Sequence, residues 1–382
     1  MGMSRHVVIF SANYLPNIGG IERFTEGVAR ALADIGTHVT IVTNNCFSLP
    51  AKESLGEGVE IVRLPCHPLI GGRFPLPKLN GEFNNLMSFL YSTPCDGVLI
   101  NARFYVHTIL GLRFAKRKGL TPIVLDHGSA YLTFGNKALD VFVKAYEHVI
   151  TSFVKRYKPI FYGVSCKSVE WLRTFDIDAK GVLSNSIDAS NYRKQESGRN
   201  FRSELGIDED ALLVSFSGRL IPEKGISILI KTMVLLHSAP VHLIVAGDGP
   251  MRREVEDAAG GRLHYVGRLS QPDIASLMIS SDLFFLPTRS EGFSTSLLEA
   301  ASCGTPFLST DVGGARELAP SREYGIVVEG NPGFQAFAEL IRSLVSRRDE
   351  LALMGARCRE RVENQYSWNQ TAINVLKAMN LE

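Results

Sequence analysis

Short apolar segments alternate with amphipathic segments along the chain, and this alternation restricts the fold more than any other feature. In the first half, apolar runs of strand length lie at residues 6–11, 38–43, 59–64, 97–101, 121–126, 160–164 and 181–183. Helical spacing of apolar residues predicts helices at 21–35, 79–91, 105–118, 138–157 and 167–174. Buried strands that alternate with helices are typical of a parallel sheet covered on both faces. We therefore expect an α/β domain.

A second series of the same kind follows a polar stretch at residues 188–202. Its strands are predicted at 211–217, 241–246, 263–266, 283–286, 305–309 and 326–328, and its helices at 226–237, 250–259, 272–279, 296–302 and 333–344. A chain of 382 residues is longer than one hydrophobic core usually supports. We therefore expect two domains, residues 1–185 and 186–365, and the polar stretch is predicted to be the linker.

The composition favours a cytoplasmic protein. No apolar run approaches the ~20 residues that cross a bilayer. Residues 1–12 lead into a polar segment, and we interpret them as a first strand and not as a signal peptide. The six cysteines show no pair at metal or redox spacing, as expected of buried thiols in a reducing compartment. No nucleic-acid partner is expected.

The net charge of +2 hides an asymmetry between the two halves. Residues 1–185 hold 20 basic and 14 acidic side chains, whereas the remainder holds 21 and 25. The basic residues of the first half concentrate at 113–118 and 155–158, with apolar residues between them. Such a surface suits anionic lipid or an anionic acceptor. It is equally typical of a solvated helix face, and both interpretations stay open.

Glycines and unusual polar residues follow the predicted strands. Gly19 and Gly20 lie at a helix start after the first strand, and His127 follows the fifth. In the second series these segments are 218–225, 247–250, 267–268, 291–299 and 311–314. Parallel strands bring such loops to one sheet edge, where open α/β folds bind ligands. Glycine allows close approach to a ligand, and N–H groups at a helix start bind anions, although strand-to-helix turns also need glycine for structural reasons.

Two cations mark the loop after the strand at 211–217. Arg219 and Lys224 are five residues apart at the mouth of this strand. Together they would neutralise a diphosphate, because arginine can donate to two oxygens and lysine adds a second charge. The alternative is that they are ordinary surface charges.

Two glutamates, Glu291 and Glu299, flank residues 292–298 after the strand at 283–286. We expect one carboxylate in the loop and the other on the first turn of the next helix. Both would lie at the sheet edge, where carboxylates accept hydrogen bonds from sugar hydroxyls. The alternative is structural, because Ser296 and Glu299 have the spacing of a capping box, which would place Glu299 there for helix stability.

In this order, the motifs resemble the family 4 retaining glycosyltransferases. The resemblance covers nearly the whole chain and rests on Gly19-Gly20-Ile21-Glu22, His127-Gly128, Gly218-Arg219, Lys224-Gly225, Gly247-Asp248-Gly249-Pro250, Glu291-Gly292-Phe293 and Glu299-Ala300. It implies the GT-B architecture, two facing Rossmann-like domains with a C-terminal helix, residues 366–382, that returns to the first domain. It also implies transfer of a sugar from a nucleotide diphosphate sugar with retained anomeric configuration, and no metal or other cofactor.

The resemblance implies a role for each matched residue. Arg219 and Lys224 would hold the donor diphosphate. Glu291 would contact the donor sugar, and Glu299 would contact the ribose hydroxyls. Gly20 would cradle phosphate from the first domain, and His127 would lie beside the donor sugar. The expected catalytic residues are Arg219, Lys224, Glu291 and His127, and the other expected donor-binding residues are Gly19, Gly20, Gly218, Gly249, Arg268, Gly292, Phe293, Ser294 and Glu299.

The chain departs from the family pattern in two loops. Ser294 replaces the glycine that usually follows the first glutamate motif, and residues 183–188 match only in part. The base and the sugar of the donor therefore stay open. The acceptor is expected to meet the first domain, whose loops at 69–75 and 133–136 are apolar with few charges. Beside the basic helices, they predict a saccharide or lipid-linked saccharide acceptor at the inner face of the membrane, as in bacterial envelope polysaccharide synthesis.

Three other functions remain open from the sequence. A nucleotide-sugar epimerase of the same architecture would invert free nucleotide sugar without an acceptor. A retaining phosphorylase-like enzyme would need a cofactor lysine, and no distinctive signature for one is present. A non-catalytic partner subunit would bind donor without turnover, but the complete set of Arg219, Lys224, Glu291 and Glu299 speaks against it.

Overall fold

A computed structural model describes residues 5–17, 19–56, 58–133 and 137–382. The chain divides into two compact units, Met1–Asn185 with Trp368–Glu382, and Ser186–Ser367. Each unit contains a parallel sheet with helices, so the predicted α/β fold is confirmed. None of the helices in the described ranges combines the length and apolarity needed to cross a membrane.

The first unit is built on the sheet order β3-β4-β2-β1-β7-β8-β9, parallel except for the edge strand β3, with β5 and β6 forming a separate hairpin. Its strands are β1 His6–Ser11, β2 His38–Asn44, β3 Lys52–Ser54, β4 Val59–Leu64, β5 Cys66–Leu69, β6 Phe74–Pro77, β7 Gly97–Asn101, β8 Ile123–Asp126 and β9 Ile160–Gly163. Its helices are α1 Gly20–Asp34, α2 Gly81–Ser92, α3 Val106–Lys118, α4 Lys137–Lys155 and α5 Cys166–Leu172. The central strand β1 is buried on both faces, which explains its continuous apolar sequence.

The second unit has the all-parallel sheet order β12-β11-β10-β13-β14-β15. Its strands are β10 Leu212–Ser217, β11 Val241–Ala246, β12 Leu263–Gly267, β13 Leu283–Leu286, β14 Phe307–Thr310 and β15 Ile326–Val328. Its helices are α6 Ala189–Lys194, α7 Phe201–Glu204, α8 Ile226–Leu235, α9 Arg252–Ala258, α10 Gln271–Ser280, α11 Thr295–Cys303, α12 Ala315–Leu318, α13 Phe334–Leu344 and α14 Arg348–Gln365. Strand order reverses between β10 and β13, and this reversal is where ligands bind in such sheets.

The last helix, α15 Trp368–Ala378, belongs to the first unit and packs on α1. Trp368 lies with its ring 5.9 Å from that of Phe24. A Cβ atom on Gly27 would be only 2.2 Å from the Trp368 ring, so the glycine makes this close packing sterically feasible.

Two details of the predicted organisation are wrong. Residues 181–183 do not form a strand and contribute a single bridge between Val182 and Gly163. The polar stretch 188–202 is no free linker, because it forms α6 and the start of α7 within the second unit. Arg193 donates to the carbonyl of Cys303 at 2.9 Å, and Arg202 pairs with Asp282 at 2.5 Å. These polar side chains have partners inside the fold, which the sequence pattern does not reveal.

Candidate functional site

The candidate site of the second unit lies where β10 and β13 run side by side. The loop after β10 and the loop after β13 are bonded to each other. The backbone N–H of Arg289 and the hydroxyl of Thr288 both donate to the carbonyl of Glu223, at 2.7 and 3.0 Å. These bonds hold the two predicted ligand-binding loops in one arrangement.

Gly225 makes the contact between these loops sterically feasible. Its φ is +76°, in the left-handed region, and a Cβ atom there would lie 2.1 Å from the carbonyl oxygen of Pro287. Only glycine fits such an approach of two backbones. The helix α8 begins directly after it, so backbone N–H groups at a helix start lie beside Lys224.

Lys224 and Glu291, both predicted site residues, form an ion pair between the two loops. Their side chains are 18% and 13% exposed. Lys224, which is predicted to bind the diphosphate, thus contacts Glu291, which is predicted to bind the sugar. A charged, hydrogen-bonded pair in this partly desolvated position is well suited to a ligand that carries both phosphate and hydroxyl groups.

Arg219 and Arg268 lie exposed in the loops after β10 and β12. Within the described ranges, neither guanidinium has a carboxylate at ion-pair distance, in contrast to Lys224. Their charges are therefore uncompensated by a direct partner at the carboxyl edge of the sheet. An anionic ligand would supply that partner.

Glu299 lies in the second turn of α11 and is buried. The helix begins one residue after Ser294, whose hydroxyl accepts a hydrogen bond from the N–H of Leu297. The capping-box alternative for Ser296 and Glu299 is therefore wrong, as is the expectation that Glu299 lies in the first turn. Ser294 itself is the N-cap of α11, and this structural role explains why a serine occupies the position.

Phe293 and Gly292 differ in what they can offer a ligand. Phe293 is buried with its ring 5.7 Å from that of Tyr366, and a Cβ on Gly314 would lie 2.3 Å from the Phe293 ring. The Phe293 side chain therefore packs in the core of the unit and fixes the loop. Gly292 is half-buried in the same loop, so only the backbone is available there.

The loops after β10 and β11 pack closely against each other at their glycines. A Cβ on Gly247 would be 1.9 Å from the carbonyl of Gly218, and one on Gly249 would be 2.6 Å from the carbonyl of Leu220. Both Gly247 and Gly249 have positive φ, +145° and +155°. Close packing of the two loops therefore explains the glycines at positions 218 and 249, independently of any ligand.

In the first unit, His127 follows β8 and is bonded to Asn101 at the end of β7. Its Nε2 lies 3.0 Å from Oδ1 of Asn101, whose amide nitrogen donates to Thr25 at 2.8 Å. Since that amide group is oriented by Thr25, we infer that Nε2 of His127 carries the proton and that Nδ1 is the free acceptor. Burial lowers the pKa of His127 to about 3, so the ring is neutral at physiological pH.

The start of α1 offers backbone N–H groups at the same edge of the first sheet. Gly19 is the N-cap of α1, and Gly20 is its first residue. A Cβ added to Gly20 would meet no atom within 4 Å, so the space beside this exposed residue is open. Glu22 is buried nearby and accepts a 2.7 Å hydrogen bond from Asn17. The accessible part of the helix start is thus the space beside Gly20, because the Glu22 carboxylate lies over Gly19.

Sequence reasoning missed a buried charge cluster behind His127. Arg103 donates to Glu147 at 2.9 Å and lies 3.6 Å from Asp126, and all three side chains are 1% exposed. Burial raises the pKa of Asp126 to about 6; the Arg103 guanidinium lowers this pKa, whereas the negative charge of Glu147 raises it. Asp126 directly precedes His127, and its position at the end of a predicted strand was the available signal.

The predicted acceptor loops are described only in part. Residues 69–75 comprise the turn of the β5–β6 hairpin and the adjoining strand ends, and Leu69 and Ile70 are exposed there. Of the second loop, residues 134–136 lie outside the described residues.

Residues 198–361 match the family described as glycosyl transferases group 1. A glycosyltransferase of Methanocaldococcus jannaschii is 23% identical over 386 residues, 96% of this chain and 95% of that protein. The gpi3 subunit of the phosphatidylinositol N-acetylglucosaminyltransferase of Schizosaccharomyces pombe is 24% identical, over 94% of this chain and 77% of that protein. The crystal structure of Anabaena HepE in complex with UDP-glucose has a TM-score of 0.73 at 16% identity, over 98% of this chain and 99% of that one.

These similarities support the assignment of the chain to the glycosyltransferase class of enzymes. The likeness to HepE shows the fold, two Rossmann-like domains of the GT-B architecture. The family match lies within the second unit, which contains Arg219, Lys224, Glu291 and Glu299.

Proposed function

We propose that the protein is a family 4 retaining glycosyltransferase, which moves a sugar from a nucleotide diphosphate sugar to a saccharide or lipid-linked saccharide. The observation that carries the proposal is the constellation at the β10–β13 edge. There, Lys224 contacts Glu291 while the guanidinium of Arg219 is exposed without a carboxylate partner in the described part of the chain. Diphosphate needs such cations, and sugar hydroxyls need such a carboxylate.

Arg219 and Lys224 stabilise the diphosphate as its negative charge grows during bond breaking. The bond between the anomeric carbon and the diphosphate oxygen breaks, and a bond from the acceptor hydroxyl forms on the same face of the sugar. The proton of that hydroxyl passes to the leaving phosphate oxygen. The bonded loops hold Lys224 at this edge before the ligand arrives, and Arg219 adds a second charge there. The proposal requires no metal and no further cofactor.

The first unit contributes an anion site and a sugar contact in this proposal. The open space beside Gly20 and the start of α1 suit a phosphate oxygen. The neutral ring of His127, held by Asn101, suits a sugar hydroxyl that donates to Nδ1. Glu299 would accept hydrogen bonds from the ribose, and Arg268, Gly292 and the backbone at Ser294 would complete the donor site.

Two alanine variants and a matched control test the assignment. Arg219→Ala and Lys224→Ala should each lower turnover ~10²-fold or more, as loss of one donor to a developing oxyanion does. Arg253→Ala is the control, because this side chain on α9 is 91% exposed and pairs with Asp257 one helical turn away. Near-normal turnover in both site variants would refute the proposal. Inversion of free nucleotide sugar without an acceptor would select the epimerase instead.

The acceptor and the cellular setting complete the proposal. The gpi3 relative is a phosphatidylinositol N-acetylglucosaminyltransferase subunit, which favours an acceptor attached to lipid. We propose a cytoplasmic protein in peripheral contact with the inner face of the membrane, acting in bacterial envelope polysaccharide or glycoconjugate synthesis. A panel of nucleotide sugars screened by thermal shift identifies the donor, because a ligand at about 100 times its dissociation constant stabilises by about 2.7 kcal/mol.

A further inference from the structure

Helix α4 of the first unit exposes an apolar stripe to solvent. Phe142 is 73% exposed, Val149 56% and Phe153 47%, and their spacing of seven and four residues places them on one side of the helix. Ile150 and Val154 are buried on the adjacent face of the helix. A helix that already has a buried apolar face does not need a second one for folding, so the exposed stripe calls for another explanation.

Cations surround the C-terminal end of this stripe. Phe153 lines one groove together with Lys116 from α3 and with Arg156 and Lys158, which follow α4. The guanidinium of Arg156 lies 4.8 Å from the centre of the Phe153 ring. We name these residues the α3–α4 surface: Lys116, Phe142, Val149, Phe153, Arg156 and Lys158.

Acidic side chains are nearly absent from this part of the unit. Residues 102–169 contain eleven Lys and Arg but only three acidic residues, Asp126, Asp140 and Glu147. Asp126 and Glu147 are buried against Arg103, and Asp140 accepts a hydrogen bond from Thr133 at 2.8 Å. The exposed charge of the α3–α4 surface is therefore positive and complements an anionic partner.

We propose that the α3–α4 surface docks on a lipid bilayer that contains anionic headgroups. Phe142, Val149 and Phe153 enter the interface, and the neighbouring cations meet the headgroups, as on an amphipathic helix that lies in the plane of the membrane. A second copy of the chain fits less well, because a two-fold interface through this surface would bring its own cations together. The inference deepens the proposed function, on which it rests for the lipid-linked acceptor, but docking itself requires no turnover.

Vesicle sedimentation of the full chain at low salt tests the proposal. The wild-type protein should bind phosphatidylcholine vesicles with about 30% phosphatidylglycerol at least about tenfold more tightly than pure phosphatidylcholine vesicles. Salt should weaken this binding, because exposed charges are screened beyond about 10 Å at 0.1 M. Equal binding to both vesicle types, or no binding to either, would overturn the proposal.

Two double variants locate the contact. Lys116→Glu with Lys158→Glu should weaken binding at least about tenfold, since each cation near a charged membrane contributes about fivefold. Phe142→Ser with Phe153→Ser should do the same through lost apolar burial. The controls are Arg253→Glu, with its side chain 91% exposed, and Leu353→Ser, 62% exposed, both in the second unit. If both double variants bound vesicles as tightly as the wild type, or if the control variants bound more weakly, the contact would not lie on the α3–α4 surface.

The outcome is separable from that of the proposed function. Binding of nucleoside diphosphate, followed by thermal shift, should be the same in all these variants and shows that they fold. Vesicle binding without any sugar transfer would refute the proposed transferase activity but would still support docking of the α3–α4 surface on a bilayer. Transfer to a soluble saccharide without vesicle binding would refute the surface alone. If sedimentation velocity showed a wild-type dimer that Phe142→Ser dissociates, the partner of this surface would be a second copy of the chain and not a bilayer.

Discussion

The ammonium group of Lys224 and the carboxylate of Glu291 satisfy each other's charge across two loops that follow neighbouring strands. Both side chains are largely removed from water. A diphosphate that binds Lys224 must therefore share it with Glu291 or displace it. This relationship couples the two parts of the proposed donor site, because the same lysine contacts the residue expected to hold the sugar.

Glu291→Gln should separate binding of the diphosphate from sugar transfer. The variant removes a negative charge beside the phosphate position, so affinity for a nucleoside diphosphate should rise by about three- to tenfold. Sugar transfer should fall ~10²-fold, because the carboxylate that orients the sugar is lost. Calorimetry with UDP, GDP and ADP and a transfer assay measure the two effects. Glu256→Gln, in an exposed pair on α9, is the control. Weaker diphosphate binding in Glu291→Gln would mean that Glu291 instead holds Lys224 in its binding position.

Gly20→Ala tests the anion site at the start of α1. The added methyl group meets no protein atom within 4 Å, so stability should be unchanged or slightly higher. Affinity for nucleoside diphosphate should nevertheless fall, because the methyl group occupies the space proposed for phosphate. Gly81→Ala is a close control, since Gly81 is also the first residue of a helix with open space beside it. Equal affinities in the two variants would remove Gly20 from the donor site.

Asn101→Asp tests the fixed tautomer of His127. A carboxylate 3.0 Å from Nε2 favours the protonated ring, so the pKa of His127 should rise from about 3. Nitrogen-15 NMR of labelled histidine reads both the tautomer and the pKa. The wild-type protein should show a neutral ring with the proton on Nε2 at pH 7. An Nδ1-protonated ring in the wild type would contradict the proposed hydrogen bond to Asn101 Oδ1.

The strand pattern could be predicted from the sequence because buried parallel strands form uninterrupted apolar runs. Thus β10 and β13, and the residues that follow them, were predicted to lie at one edge. The hairpin β5–β6 was missed, since three prolines and short strands hide its pattern. Helix α14 was missed although its buried residues Leu351, Met354, Cys358 and Val362 have helical spacing, because the many charged residues between them mask the apolar pattern.

Long-range pairing of polar groups lies beyond any sequence pattern of this kind. Lys224 and Glu291 are 67 residues apart, and their contact depends on how β10 and β13 pair. Asn101 and His127 could be placed at the ends of neighbouring strands, but the side-chain amide that fixes the ring could not be predicted. The buried cluster of Arg103, Asp126 and Glu147 likewise needs the packing of α4 against the sheet.

Asp126→Asn should change how stability depends on pH. The pKa of Asp126 is about 6 in the folded protein and near 3.8 in the unfolded chain. Between these values the folded state binds more protons, so this group makes the free energy of unfolding fall as pH rises from about 4 to about 6. Asparagine removes that contribution. From pH 4 to pH 7 the variant should gain up to about 3 kcal/mol relative to wild type.

Urea unfolding at the two pH values measures this double difference for Asp126→Asn. Asp257→Asn is the control, because its side chain on α9 is 74% exposed. A constant difference between wild type and Asp126→Asn across the range would show that the folded-state pKa of this carboxyl is not raised.

Gly225→Ala should lower the free energy of unfolding by far more than the left-handed backbone angle of Gly225 explains. Gly225 and Gly198 have the same φ of +76°, but a Cβ on Gly198 meets nothing within 4 Å, whereas one on Gly225 lies 2.1 Å from the Pro287 carbonyl. Gly198→Ala should therefore cost only the left-handed strain, about 1–2 kcal/mol. Gly225→Ala must also push apart the loops that carry Lys224 and Glu291. Its unfolding free energy should be lower by at least about a further 2 kcal/mol, and nucleoside diphosphate affinity should fall as well. Denaturant unfolding and calorimetry of both variants decide the point, and equal stabilities would show that the contact between the loops does not constrain the site.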